Sequence, residues 1–308
     1  MPAAEESRTA AETATQPACW RRAVEAAETA EGLPRPGERV AVTGCGTSWF
    51  MAQAYAALRE QAGQGETDAF ASSEFPADRR YDRVVAITRS GTTTEVLTLL
   101  SALRGRTPTT ALTADPRTPV MDAADAVTVL DWADEESVVQ TRFATTALAL
   151  LRAGLEGHGL PPGVKPVTEA AADAELALTQ PLPAAVLGAE QWTFLGRGWT
   201  YGLAQEAALK MREAARAWTE AYPAMEYRHG PISITGPNRV AWIFGELPEG
   251  LSGEVDRIGG TLIADSDGDL DPMADLIRAQ RLAVAVAESK GHNPDHPRNL
   301  TRSVILTD

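Results

Sequence analysis

The sequence predicts an α/β fold of two tandem domains, each a parallel-stranded sheet flanked by helices, and three observations predict it. Short β-branched runs alternate with longer helical patterns, which implies parallel βαβ units. The alternation stops at a Gly- and Pro-rich stretch, residues 157–166, and then starts again. A chain of 308 residues is also long enough for two domains of about 150 residues, each with its own core. The expected domains are residues 19–160 and 161–308, behind an N-terminal tail of residues 1–18.

That tail is rich in Ala, Glu and Thr without an apolar period, and disorder is expected there. A helix follows from about Ala18 to Glu31, stopped at Gly32 before Pro34 and Pro36. Strands are expected at Arg39–Thr43, Ala69–Ser72, Asp82–Thr88, Thr110–Thr113 and Ala126–Leu130. The intervening helices run Ser48–Gln61 and Thr93–Leu103, and Arg142–Leu155 closes the domain. Beyond the linker come a helix at Thr168–Leu178, a strand at Trp192–Leu195, a helix ending near Ala217 and a strand at Val240–Phe244. The halves echo each other. Val40–Thr43 enters Gly44-Cys45-Gly46-Thr47-Ser48, and the later strand enters Gly196-Arg197-Gly198-Trp199-Thr200.

A formal charge of −14 argues against a nucleic-acid partner, because backbone binding needs a basic face. Only Cys19 and Cys45 occur, outside any CxxC motif, so a disulfide framework is not expected. The N-terminus lacks a signal-peptide pattern and no apolar run approaches the roughly 20 residues of a membrane span. A cytoplasmic protein with no membrane partner is expected.

Two hydroxyl-rich loops carry the chemistry. Gly44-Cys45-Gly46-Thr47-Ser48 and Arg89-Ser90-Gly91-Thr92-Thr93-Thr94 each close a strand and open a helix. A helix start offers unpaired N–H groups and a positive dipole end, which suit an anion. Helix capping by Ser48 or Thr92 is the plain structural alternative. Neither loop has the Gly-Lys-Ser/Thr ending of a nucleotide P-loop or a full GxGxxG, which favours a sugar phosphate. After Val240–Phe244 comes Gly245-Glu246-Leu247-Pro248-Glu249, with no Ser/Thr cluster, so the anion site belongs to the first half. In the second half Glu206, Lys210 and Glu213 stand at i, i+4 and i+7, within about 60° of one another on one helix face. An ion pair on a wet helix is their plain reading.

Several stretches in order carry a resemblance: Gly44–Ser48, Ser72–Phe75, Ser90–Thr93, Glu206–Glu213, Glu220–Tyr222, Arg228–Pro231 and Asn293–Leu300. They resemble the sugar isomerase (SIS) domain family, and more narrowly the two-SIS isomerase half of glucosamine-6-phosphate synthase and stand-alone deaminase and deglycase relatives. The resemblance runs from about residue 19 to the C-terminus and implies two tandem SIS domains. It implies that Thr47, Ser48, Ser90 and Thr93 hold a phosphate, with Thr88 near it, and that Glu213 moves a proton between C1 and C2 of an open-chain sugar. Such a base needs a pKa raised toward neutrality. Lys210 is expected to hold Glu213 or stabilise an enediolate, and Glu206 to assist the open-chain hydroxyls. His229, in the turn-like Arg-His-Gly-Pro, becomes the ring-opening acid/base, entering from a partner subunit in a homodimer.

Two departures stand out. Arg89 replaces the glutamine common in the synthases, and either makes a charged contact or faces solvent. Arg302 stands where the synthases have a Schiff-base lysine. A guanidinium stays protonated and forms no imine, so Arg302 is expected at most to steady a hydroxyl or enediolate. Neighbouring Lys290 is a conceivable substitute for that lysine, though nothing in the spacing demands it. His292 and His296 are separated by Pro294 and lack a third ligand, so no metal or other cofactor is expected. Cys45 reads as a packed residue rather than a nucleophile. With Pro2 after Met1, glutamine-dependent synthesis is set aside. The leading expectation is an aldose–ketose isomerase/deaminase acting on an amino-sugar phosphate such as glucosamine 6-phosphate. A fructosamine-phosphate deglycase, a plain phosphosugar isomerase and a non-catalytic sugar-phosphate sensor are the alternatives.

Overall fold

The structure, a computed structural model, describes residues 6–264 and 270–306, and these form two compact units. The first unit takes its described residues from Ala18–Glu135, Arg142–Thr168 and Thr301–Asp308; the second takes them from Met1–Pro17, Glu136–Thr141 and Glu169–Leu300. Both are α/β with wholly parallel sheets.

The chain opens with α1 (Arg8–Ala14) and α2 (Gln16–Ala27). The first sheet follows as β1 (Val40–Gly44), α3 (Thr47–Gln61), β2 (Thr67–Ala71), β3 (Arg83–Ile87), α4 (Thr94–Leu103), β4 (Thr109–Thr113), α5 (Val120–Ala123), β5 (Ala126–Val129) and α6 (Arg142–Glu156). Its strand order is β2-β1-β3-β4-β5. β1 and β4 are buried along their whole length, as strands with both faces covered must be. The order reverses between β1 and β3, because β2 lies on the far side of β1. Connections leaving the carboxyl ends of such a pair diverge and open a crevice, the usual ligand position in an open α/β sheet.

The second unit continues through α7 (Val167–Thr179), α8 (Ala184–Leu187), β6 (Gln191–Gly196), α9 (Thr200–Ala215), β7 (Thr219–Pro223), β8 (Arg239–Phe244), α10 (Leu251–Arg257), β9 (Thr261–Ile263) and α11 (Pro272–Ser289). Its strand order, β7-β6-β8-β9, repeats the reversal between β6 and β8. Here the reversal point is filled. Thr200 Oγ1 accepts from the Arg197 N–H at 2.8 Å and lies 2.8 Å from the Phe244 carbonyl, which ties the two loops together. A Cβ on Gly196 would meet the Thr200 backbone at 2.3 Å. The lack of a Ser/Thr cluster after β8 thus has a structural counterpart.

Where disorder was expected over residues 1–18, Arg8–Ala14 is helical; Met1–Glu5 lie outside the described residues. The apolar period is indeed missing, but the helix is held by polar contacts distant in sequence. Ser7 caps it, and Asp295 accepts from the Arg8 N–H (3.0 Å), the Thr9 N–H (2.8 Å) and the Thr9 hydroxyl (2.7 Å). Glu12 is buried and accepts the Glu136 and Ser137 N–H groups. α1 therefore belongs with the second unit rather than standing apart, and the described part of Thr301–Asp308 belongs with the first.

Asp295 also fixes a pH dependence. Burial pushes its carboxyl up, but the bonds from Thr9 and Arg8, with His296 nearby, outweigh burial and hold it below its ordinary value. A depressed folded-state pKa contributes stability above the unfolded value, and that stability is lost as pH falls through the folded value. Asp295→Asn is expected to destabilise the fold by about 1 kcal/mol at neutral pH, as removal of a helix cap does. The difference from wild type should begin to shrink as pH falls below about 4 and disappear once pH passes below the still lower folded-state value. Urea titrations of both proteins at pH 7 and in the acid range check this.

Candidate functional site

The two hydroxyl loops leave adjacent carboxyl ends, those of β1 and β3, which pair directly. The first is tight. A Cβ on Gly44 would lie 2.6 Å from Ser48 Cβ and 3.0 Å from the Ile87 carbonyl, so the start of α3 sits almost on the strand end. Thr47 and Ser48 occupy the first turn of α3 and are buried. In the second loop Gly91 has φ +62°, and a Cβ there would fall 2.1 Å from Thr118 Oγ1. Only glycine satisfies both demands.

Capping does not account for the hydroxyls. The residue preceding α3 is Gly46, and Thr93, which precedes α4, makes no side-chain capping bond. Thr92 instead donates its N–H to Ser90 Oγ at 3.2 Å, and its hydroxyl lies 3.1 Å from the same oxygen. Thr88 is 4% exposed, and its Oγ1 has no hydrogen-bond partner among the described residues. A buried hydroxyl in that condition is uncommon. The loop is therefore rich in donors that point at something other than its own backbone.

Arg89 does not face solvent. It is 2% exposed; its Nη2 donates to the Arg302 carbonyl at 3.1 Å, and its Nη1 stands 3.8 Å from the buried Glu135 carboxylate. Arg302 lies in the same network. Its guanidinium donates to the Glu135 carbonyl and pairs with Asp134 Oδ1 at 2.5 Å. Ser303 follows, its Oγ 3.1 Å from Ser90 Oγ, 3.0 Å from Thr92 Oγ1 and 3.3 Å from Thr93 Oγ1. Sequence reasoning singled out Arg89 and Arg302 but missed Ser303, Asp134 and Glu135. The only available signal was adjacency of Ser303 to Arg302.

In the second unit α9 brings Glu206, Lys210 and Glu213 together as their spacing requires. Lys210 Nζ stands 2.5 Å from Glu213 Oε2 and 3.3 Å from Glu206 Oε1. The wet-helix reading is corrected here: the Lys210 and Glu206 side chains are each 1% exposed, whereas Glu213 keeps 18%. Of the three, Glu213 alone can meet a ligand. His229 ends a short 3-10 turn, Glu226–His229, and is exposed. Lys290 is engaged with the Trp192 ring, its Nζ 5.9 Å from the centroid. Burial pushes the Cys45 thiol up, which opposes a thiolate nucleophile. No helix among the described residues is long and apolar enough to cross a membrane.

No protein-family model matches the chain. It is 29% identical over 298 residues to a glutamine–fructose-6-phosphate aminotransferase (isomerizing) of Sulfurisphaera tokodaii, covering 87% of this chain and 50% of that protein. The corresponding protein of Methanothermobacter thermautotrophicus is 26% identical over 306 residues, 87% of this chain and 52% of that one. The chain thus spans about half the length of the curated relatives it matches. Among solved structures, a glucosamine-6-phosphate deaminase from Thermotoga maritima superimposes with a TM-score of 0.80 at 23% identity, covering 97% of this chain and 100% of that one. The C-terminal domain of glucosamine-fructose-6-phosphate aminotransferase from Francisella tularensis gives 0.74 at 20% identity, covering 96% and 100%. A tagatose-6-phosphate ketose/aldose isomerase from Escherichia coli gives 0.76 at 18% identity, covering 97% and 99%; at these identities the likeness is one of fold. The homologues of this chain are accordingly the isomerase (SIS) domains of the glutamine–fructose-6-phosphate aminotransferases.

Proposed function

We propose that the chain is a phosphosugar aldose–ketose isomerase/deaminase acting on an amino-sugar phosphate such as glucosamine 6-phosphate. One observation carries the reading: a buried Lys210–Glu206 pair holds the partly exposed carboxylate of Glu213 on α9, in a chain whose other unit presents a hydroxyl-rich anion loop. Burying an ion pair costs several kcal/mol of desolvation and is seldom a route to stability. Positioning a carboxylate for proton transfer is what such a pair supplies at that cost.

Each group then has a role. Thr47, Ser48, Ser90 and Thr93, with Thr88, bind the phosphate through hydroxyls and helix-start amides. His229 transfers a proton between the anomeric hydroxyl and the ring oxygen, opening the ring. Glu213 removes the C2 proton of the open-chain aldose as O1 takes up a proton, giving the aminoenol. The same proton is then returned to C1 as the amine gives one up, leaving a C1 hydroxymethyl group and an imine at C2. Water adds to that imine, and the resulting carbinolamine expels ammonia to give the ketose phosphate. Lys210 steadies Glu213, which alone of the three meets the substrate. Arg302 forms no imine, so the route is non-covalent. The resemblance of the Arg-His-Gly-Pro turn extends the proposal to a homodimer, with His229 reaching its partner's site.

Ammonia release from a panel of hexosamine 6-phosphates tests the reaction. Turnover of one member supports deamination, and ketose formation without ammonia supports a plain isomerase. Binding without turnover would make the chain a sensor. The dimer has its own test. Mixing His229→Asn with Glu213→Gln, each inactive alone, should restore about a quarter of wild-type activity. Half the dimers would be mixed, each with one intact site of two. A mixture as inactive as its components refutes donation across the interface.

A further inference from the structure

We infer that the C-terminal segment is a built part of the anion loop, with Ser303 as a further phosphate-binding hydroxyl and Arg89 and Arg302 as the residues that position it. The inference rests on the phosphate-binding reading of the loop. It begins from the three contacts of Ser303 Oγ with Ser90, Thr92 and Thr93, at 3.1, 3.0 and 3.3 Å. All are longer than the 2.7–2.8 Å typical of an O–H···O bond. Four hydroxyls thus converge at slack spacing, each with a proton that rotates freely. Such a group holds itself together weakly, but one anionic oxygen beside it would draw several of those protons into short, charge-assisted bonds. Thr88, buried at the entrance to the same loop with an Oγ1 that has no partner among the described residues, points independently to a ligand there.

The segment is fixed on both sides of Ser303. Arg89 donates to the Arg302 carbonyl, Arg302 pairs with Asp134, and the Val304 carbonyl accepts the Thr94 N–H at 3.2 Å. Leu306 donates its N–H to Thr94 Oγ1 at 2.9 Å. These anchors explain both departures from the synthase pattern together. Arg89 spends its charge on the tail and on Glu135, not on a ligand, and Arg302 reaches away to Asp134 and Glu135. The two arginines form one clamp, and its product is the placement of the Ser303 hydroxyl.

The test is calorimetric binding of inorganic phosphate and of glucosamine 6-phosphate to wild type, Ser303→Ala, Ser303→Thr and Asp134→Asn. Ser303→Ala should weaken both ligands about tenfold or more, as loss of a hydrogen bond to a charged group does, while thermal stability stays near wild type. Ser303→Thr should retain most of the affinity. Asp134→Asn should weaken binding and speed amide exchange at Val304 to Leu306. Unchanged affinity in Ser303→Ala, with wild type binding normally, overturns the assignment and leaves the loop's own role intact. Tighter binding would also overturn it, since the tail would then be an occupant that ligand must displace. Failure of wild type to bind either ligand removes the phosphate reading itself, and this one with it.

Discussion

Glu213→Gln is expected to lower turnover of the cognate amino-sugar phosphate by about 10²–10⁴-fold, the usual contribution of a positioned general base. KM should change little, because the amide is nearly isosteric and still reaches Lys210, whose ammonium lies 2.5 Å from the wild-type Glu213 Oε2. The split matters. A purely structural role for Glu213 would raise KM or lower the melting temperature along with kcat, whereas a proton-transfer role acts on kcat alone. A sharper check is exchange of the C2 proton with deuterated solvent, read by NMR independently of ammonia release. Wild type should exchange it and Glu213→Gln should not. Exchange at the wild-type rate in the variant would show that another group is the base.

The sequence made the parallel sheets legible because period and breaker signals agree there. Val40–Thr43 and Val84–Thr88 are β-branched runs bounded by glycine-rich turns, and they lie within a residue or so of β1 and β3. The i, i+4, i+7 spacing on α9 was legible for the same reason, since helical geometry alone brings Glu206, Lys210 and Glu213 together. Burial of that trio was not, because exposure depends on what packs over the helix. α1 escaped notice because its fixing partners, Asp295 and Ser137, lie more than a hundred residues away and act through polar atoms rather than an apolar stripe. Ser303 escaped for a similar reason. Its meaning comes from contacts with Ser90, Thr92 and Thr93, about 210 residues earlier, which no local pattern encodes. Arg89 is the instructive middle case: its departure from the glutamine was visible, but its direction depends on a carbonyl in the tail.

The largest stability effect should come from Lys210→Met. The substitution keeps the length of the side chain but removes the ammonium 3.3 Å from Glu206, a carboxylate 1% exposed. Breaking a buried pair by deleting one partner typically costs about 3–5 kcal/mol, because the remaining charge loses its compensation. For a protein of marginal stability that is a large fraction of the total. Denaturant unfolding should show the loss as a fall in midpoint. The double variant Glu206→Leu/Lys210→Met removes both charges and should recover much of the loss, since a packed apolar pair replaces a buried ionic one. Activity should not follow. In the double variant Glu213 would have lost the ammonium that holds it, so turnover should stay low while the fold is restored. Recovery of stability and turnover together would mean that Lys210 serves the fold alone. Recovery of stability alone would show that the buried pair is kept for the position of Glu213, since an apolar pair supports the fold equally well.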